Sequence, residues 1–234
     1  MAVLVLANSK GGAGKSTTAL ILAASFIEMG LSTCVIDCDP NRPIQAWKNL
    51  NASQCPLSVV SDAREDNIIS RIKEAEATFA IVVVDLEGSA SLLSARAISR
   101  ANLVIIPMPA SPLDTDQASR ATALIKSEEE HLDRIIPFVI AFNRTSPIIK
   151  TRIERTVTHH LVEASVPQFE NQLNDRAAFK QMFMDGKTVF ELDEKDVSNL
   201  AAAQANALAF THEVYEALTG RRLITTTANK GEAA

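Results

Sequence analysis

Residues 9–17, Ser9-Lys10-Gly11-Gly12-Ala13-Gly14-Lys15-Ser16-Thr17, constrain this chain more than any other stretch. They follow the apolar run Ala2–Ala7, which reads as a strand buried on both faces of a parallel sheet. They lead into a helix expected over Ser16–Met29 and stopped by Gly30. At such a junction Gly11, Gly12 and Gly14, with the small Ala13 between them, let backbone N–H groups converge on phosphate oxygens without a Cβ in the way. The helix N-terminus adds its positive dipole end to the same spot. Lys15 would reach the β- and γ-phosphates, the Ser16 hydroxyl would ligate Mg²⁺, and Thr17 would lie near the α-phosphate. A glycine-rich turn with an incidental lysine would not put all of these residue types in register after a strand.

The rest of the chain alternates strand and helix. Strands are expected at Thr33–Ile36, Leu57–Val60, Phe79–Val84, Leu103–Ile106 and Ile136–Ala141. Ile68, Ile69, Ile72 and Ala75 mark a helix between Arg64 and Ala77; further helices are expected over Leu113–Glu130, Ile149–Ala164, Arg176–Asp185 and Val197–Leu218. Such alternation predicts an α/β fold with a doubly wound, mostly parallel sheet flanked by helices. One domain over 1–220 and a frayed tail over 221–234 are the economical division, since no repeat, long linker or low-complexity block interrupts the pattern.

Composition narrows the class. With 47% hydrophobic and 22% charged residues in 234, the chain is of ordinary globular make-up, and no apolar run approaches the ~20 residues of a membrane span. Met1–Asn8 lacks a basic segment, so no signal peptide is expected. Cys34, Cys38 and Cys55 are odd in number and form no Cys-x-x-Cys pair, which predicts free thiols in a reducing compartment and no metal site of their own. A net charge of −5 gives no bulk attraction for nucleic acid, which leaves only a local basic patch to provide one. Arg144, Lys150, Arg152 and Arg155, with His159 and His160 and only Glu154 against them, make such a patch, or an ordinary solvated helix face.

Two acidic positions would complete the loop. Asp37-Cys38-Asp39-Pro40 ends the second strand, where open α/β sheets bind ligands, although Pro40 also makes a turn or helix cap plausible for Asp39. Ile81-Val82-Val83-Val84-Asp85 is an apolar strand ending in an acid suited to the Mg²⁺ water shell, with Gly88 three residues on, placed so that its N–H would sense a γ-phosphate.

The loop departs from the common G-x-x-x-x-G-K-[ST] pattern: Ser9 replaces the first glycine and Lys10 adds a second lysine. In this it resembles the deviant Walker A ATPases of the ParA/MinD superfamily, over roughly residues 1–218, with the specific motifs in 8–40 and 81–143. The resemblance implies that Lys10 reaches across an ATP-sandwich homodimer to the partner's phosphates, that Asp39 positions or polarises the attacking water, that Asp37 supports Mg²⁺ through water, and that Asp85 is the Walker B acid. It places Asn143, in Ile140-Ala141-Phe142-Asn143-Arg144, at the adenine, with Pro167–Arg176 packing over the base. Asn143-Arg144-Thr145-Ser146 lacks the acid of guanine-specific Asn-Lys-x-Asp, which favours ATP over GTP. The stretch Ile105–Asp114 also looks like the family's switch and interface region, with Asp114 read as structural.

Asn41-Arg42-Pro43 and the lone Trp47 after Asp39, and Leu86-Glu87 after Asp85, depart from the family pattern. The function implied is a small ParA-type partition ATPase of the bacterial cytoplasm, associated with the nucleoid or a pole. Its ATP dimer would bind DNA nonspecifically and be stimulated by a centromere-binding or relaxosome-type adaptor. A VirC-type ATPase that recruits conjugative or T-DNA transfer complexes fits the departures at least as well. A MinD-type positioning protein would need a basic amphipathic tail that Thr225–Ala234 does not provide, and a biosynthetic ligase on the same scaffold would need a substrate pocket beside the γ-phosphate.

Overall fold

The computed structural model describes residues 1–50, 52–88, 91–149 and 151–220, with backbone alone at 112–118. Seven strands form one sheet: β1 (Ala2–Leu6), β2 (Thr33–Asp37), β3 (Ser58–Val60), β4 (Ile81–Asp85), β5 (Leu103–Pro109), β6 (Phe138–Thr145) and β7 (Leu173–Asn174). Their order is β3-β2-β4-β1-β5-β6-β7, and every pairing is parallel. β1 sits between β4 and β5, so the chain winds outward in both directions from it, and the loop after β1 opens at the switch point where α/β sheets bind ligands.

Alternate residues of each strand feed opposite faces, because the side-chain period of a strand is two. Leu4, Leu6, Val35, Val83 and Ile105 pack with α1 (Lys15–Glu28), α2 (Pro43–Asn49), α7 (Ala177–Asp185) and α8 (Leu200–Thr219). Val3, Val5, Ile36, Val84 and Ile106 pack with α3 (Ile68–Thr78), α4 (Leu92–Ile98), α5 (Pro112–Leu132) and α6 (Arg152–Glu163). Among the described residues no helix is long and apolar enough to cross a membrane.

The expected elements are present, and three short ones, α2, α4 and β7, were not foreseen. Each is fixed by contacts that periodicity does not reveal. α2 starts at Pro43, suited to a first helical position, and its leading amides are held by the distant Asp37. α4 is capped by Ser91 accepting from the Ser94 amide, and β7 is two residues added to the edge of β6. α6 begins at Arg152 rather than Ile149, because Thr151 and Glu154 close a reciprocal capping box that sets the start. β6 runs on to Thr145, which puts Asn143 inside a strand. In α3, Ile68, Ile72 and Ala75 are buried, whereas Ile69 faces solvent. The tail 221–234, Lys150 and the Asp114 side chain lie outside the described residues.

Candidate nucleotide site

The phosphate loop is held by its own backbone and by Asn8. Buried Asn8 donates through Nδ2 to the Pro107 carbonyl (2.8 Å) and accepts the Lys10 amide at Oδ1 (2.9 Å), tying the loop's entry to β5. Gly12 and Gly14 take left-handed backbone angles, φ 74 and 95, in which a side chain is strained. Gly88 abuts the loop: a Cβ there would stand 2.8 Å from the Gly11 nitrogen. Lys15, in the first turn of α1, is buried and folds back, its Nζ donating to the carbonyls of Asn8 (3.1 Å) and Lys10 (3.2 Å). Burial lowers its pKa, against the pull of Asp85, Asp39 and Glu87. Ser16 and Thr17 follow, half-exposed, while Lys10 and the glycines 11 and 12 face solvent.

Asp85 ends β4 in register with Asp37 on β2. It is fully buried, and neither carboxylate oxygen completes a hydrogen bond of good geometry. Burial raises its pKa to about 7, the Ser16 hydroxyl and Lys15 working against this and the negative charge of Asp37 and Asp39 adding to it. An unsatisfied carboxylate beside a hydroxyl is a hard-oxygen donor set that fits Mg²⁺. Among the described residues no three His, Cys, Asp or Glu form a metal cage, so the remaining ligands would have to come from phosphate and water.

Asp37 is otherwise engaged. Its Oδ2 accepts the amides of Ile44 (3.0 Å) and Gln45 (2.9 Å), and its Oδ1 the amide of Asp39 (3.3 Å). Both oxygens of this expected metal support therefore also hold α2 and the Asp39 turn. Asp39 is half-exposed and caps that turn itself, accepting the Asn41 amide at 2.8 Å. The thiols of Cys34, Cys38 and Cys55 are free, and burial pushes that of Cys38 well up.

Beside the loop opens a cavity of about 440 Å³, the size of a nucleoside pocket. Its walls come from four segments: Gly14 to Ile21 of the loop and α1, Asn143-Arg144 of β6, Leu173 to Arg176, and Phe179 to Phe183 of α7. Asn143 joins this cavity to the phosphate loop. Its Nδ2 donates to the Ala13 carbonyl at 2.6 Å, its buried Oδ1 has no partner, and a Cβ on Gly14 would stand 2.4 Å from Nδ2. Asn8 and the α7 residues Phe179, Lys180 and Phe183 are the walls and braces that sequence reading did not assign. Asn8 had one visible signal, a polar residue ending an apolar strand.

The residues of the expected basic patch come from two elements. Arg144, with left-handed φ 52, is exposed at the end of β6 and lines the cavity, and Arg152 and Arg155 are exposed on α6. Glu154, read as their counter-charge, is buried in the capping box, and Glu163 faces His159 at 3.4 Å. Ile148, Ile149 and Ile153 are exposed in the same stretch.

A family model described as VirC1 protein matches residues 1–230. The chain belongs to the VirC1 family. This VirC1-family chain is 38% identical over 219 residues to Protein ParA of Rhizobium radiobacter, covering 94% of this chain and 98% of that one. Protein virC1 of Rhizobium rhizogenes is 29% identical over 188 residues, 78% of this chain and 80% of its own. Among solved structures, MinD of Aquifex aeolicus superposes with a TM-score of 0.70 at 17% identity, over 95% of this chain and 99% of its own. The ATP complex of a Cyanothece McdA variant does so at 0.65 and 19%, over 89% and 96%. The VirC1-family chain thus has the fold of MinD and McdA and lies in the ParA/MinD superfamily, close to ParA and VirC1.

Proposed function

We propose that this chain is an ATP-dependent switch that dimerises around Mg·ATP, binds DNA nonspecifically in that state, and drives plasmid or chromosome partition through slow, partner-stimulated hydrolysis. The observation that carries the nucleotide part is the Asn143–Ala13 bond, which sets a nucleoside-sized cavity against a phosphate loop. Phosphate oxygens would replace the Asn8 and Lys10 carbonyls as partners of Lys15, and the amides of residues 11–17 would cradle them. The unpartnered Asn143 Oδ1 is an acceptor for the 6-amino group of adenine, which guanine lacks. Mg²⁺, held by the Ser16 hydroxyl and through water by Asp85, with Asp37 behind them, would neutralise charge on the β- and γ-phosphates.

Asp39 would orient the attacking water, and Lys10 would reach the partner subunit's phosphates, coupling occupancy to dimerisation. Arg152 and Arg155, with Lys150 and Arg144, are the residues proposed for DNA phosphates, and doubling them in a dimer would strengthen a salt-sensitive attachment. The adaptor is a centromere-binding protein on this reading, and the protein works in the bacterial cytoplasm, at the nucleoid or a pole. The match to the VirC1 model over 1–230 favours a second reading, recruitment of a DNA-transfer complex through a relaxosome-type adaptor.

The test is duplex DNA binding by Asp39→Ala protein with ATP and with ADP across a salt series. Tight, salt-sensitive binding with ATP alone is expected. Absence of binding in both states would overturn the DNA part and turn attention to a protein-only or metabolic role.

A further inference from the structure

Trp47 and Glu191 lie outside every role assigned above, yet both are spent on joining two parts of the site. α2 is only seven residues long, and its leading end is tied to Asp37 directly after the turn that holds Asp39. The position of Asp39 therefore follows that of α2. The trailing end of α2 is fastened to the segment after α7. Buried Trp47 donates through Nε1 to the Lys187 carbonyl at 3.1 Å. Leu50 lies against Gly186, the left-handed cap of α7, so closely that a Cβ on Gly186 would stand 2.5 Å from its own.

Glu191 closes the joint. Its carboxylate accepts from the Ser53 hydroxyl (2.6 Å) and the Gln54 and Cys55 amides on one side, and from the amide and hydroxyl of Thr188 (2.8 Å each) on the other. Burial works to raise the Glu191 pKa, but the donors of Ser53, Thr188 and Gln54 outweigh it and hold the carboxyl below its ordinary range. α7, at the far side of this joint, supplies Phe179, Lys180 and Phe183 to the nucleoside cavity. Close-packed elements shift as units rather than deform, so a displacement of α7 is passed on to α2.

We propose that Glu191 and Trp47 are positioning residues that tie the α7 wall of the nucleoside cavity to α2, so that a purine nucleoside seated there sets the position of Asp39. This rests on the nucleotide reading above and adds that the base, not the phosphates alone, licenses the hydrolytic geometry.

Trp47 is the chain's one tryptophan and so reports on the joint directly. Its emission is followed while the full chain is titrated with Mg·ADP, Mg·ATP and inorganic tripolyphosphate with Mg²⁺, each ligand's binding being measured separately by calorimetry. Both adenine nucleotides shift the emission, and bound tripolyphosphate leaves it unchanged. The proposal is overturned if saturating ADP gives no shift or if tripolyphosphate gives the same one. Calorimetry showing no nucleotide binding at all would instead bring down the nucleotide reading itself, and the inference with it. In the second arm, Glu191→Gln, checked by melting for an intact fold, binds ATP within about twofold of the parent but turns it over ~10-fold more slowly. Unchanged turnover, or affinity lost in step with turnover, would reduce Glu191 to a fold-holding residue and overturn the proposal.

Discussion

The two ends of the candidate cleft, the proposed phosphate end and base end, are built on opposite plans. The phosphate end is one continuous loop of backbone, braced by Asn8 from below and by Gly88 from the side, with Lys15 and the buried Asp85 as its charges. The base end is not contiguous in sequence. It is a cavity between four segments drawn from across the chain, whose walls are side chains. Backbone amides recognise phosphate whatever the neighbouring side chains, whereas a side-chain cavity moves when its helices move. On the proposed reading the phosphate end would be preset and the base end would be the one able to respond. Asn143 is the hinge between them, with one amide atom on the loop and the other unpartnered.

The contrast fails most visibly if the phosphate end is disabled without effect. Lys15→Ala is expected to weaken ATP affinity at least ~100-fold, since a buried charged donor to phosphate is lost; calorimetry that finds parental affinity would remove the loop from the site. Asp85→Asn separates function from stability. The folded carboxyl is raised from 3.8 to about 7, so the ionised group penalises the fold increasingly as pH climbs through that window and fully above it. The substitution should therefore abolish Mg²⁺-dependent binding, yet stabilise the metal-free protein at pH 8 by on the order of a few kcal/mol, read as a higher melting temperature, with the gain vanishing below pH ~4.

Gly14→Ala strikes where the two ends meet. The backbone angle of 95 and the 2.4 Å approach to Asn143 should cost roughly 1–3 kcal/mol in denaturant unfolding and displace the Asn143 amide. Asn143→Ala should lower ATP affinity about tenfold while leaving tripolyphosphate binding intact, the clearest sign that the ends act separately. The smallest effect is expected behind the base end. The Glu191 carboxyl is held below its ordinary value of 4.5, so its stabilisation is present above that pH and is lost as pH falls through the folded value. Glu191→Gln should lower the melting temperature modestly at neutral pH and flatten the acid limb of its profile, the difference from the parent vanishing as pH falls through the folded value.

Legibility followed the same division. Gly11, Gly12, Gly14, Lys15 and Ser16 are nearly contiguous, and a loop that binds through its own backbone must announce itself in neighbouring residues. The place of Asp85 was legible, since a buried apolar strand that ends in an acid is a local pattern. Asp37 was read for its charge, but its oxygens serve amides seven and eight residues away, a use that no local pattern reports. Nearness in sequence groups Arg144 with Arg152 and Arg155; that Arg144 also lines the cavity, and that the capping box at Thr151 starts α6 at Arg152, are visible only in the fold.

The α/β class was legible in local sequence, as were the glycine-rich loop with its two lysines between β1 and α1 and the acids at the strand ends, because hydrophobic period and glycine spacing act over a few residues. The all-parallel order around β1, the base cavity, the Asn143–Ala13 bond, and the Trp47 and Glu191 joint were settled only by folding. Those depend on contacts between residues up to 140 apart, such as Trp47 with Lys187. They exist only once the sheet has brought such distant segments side by side.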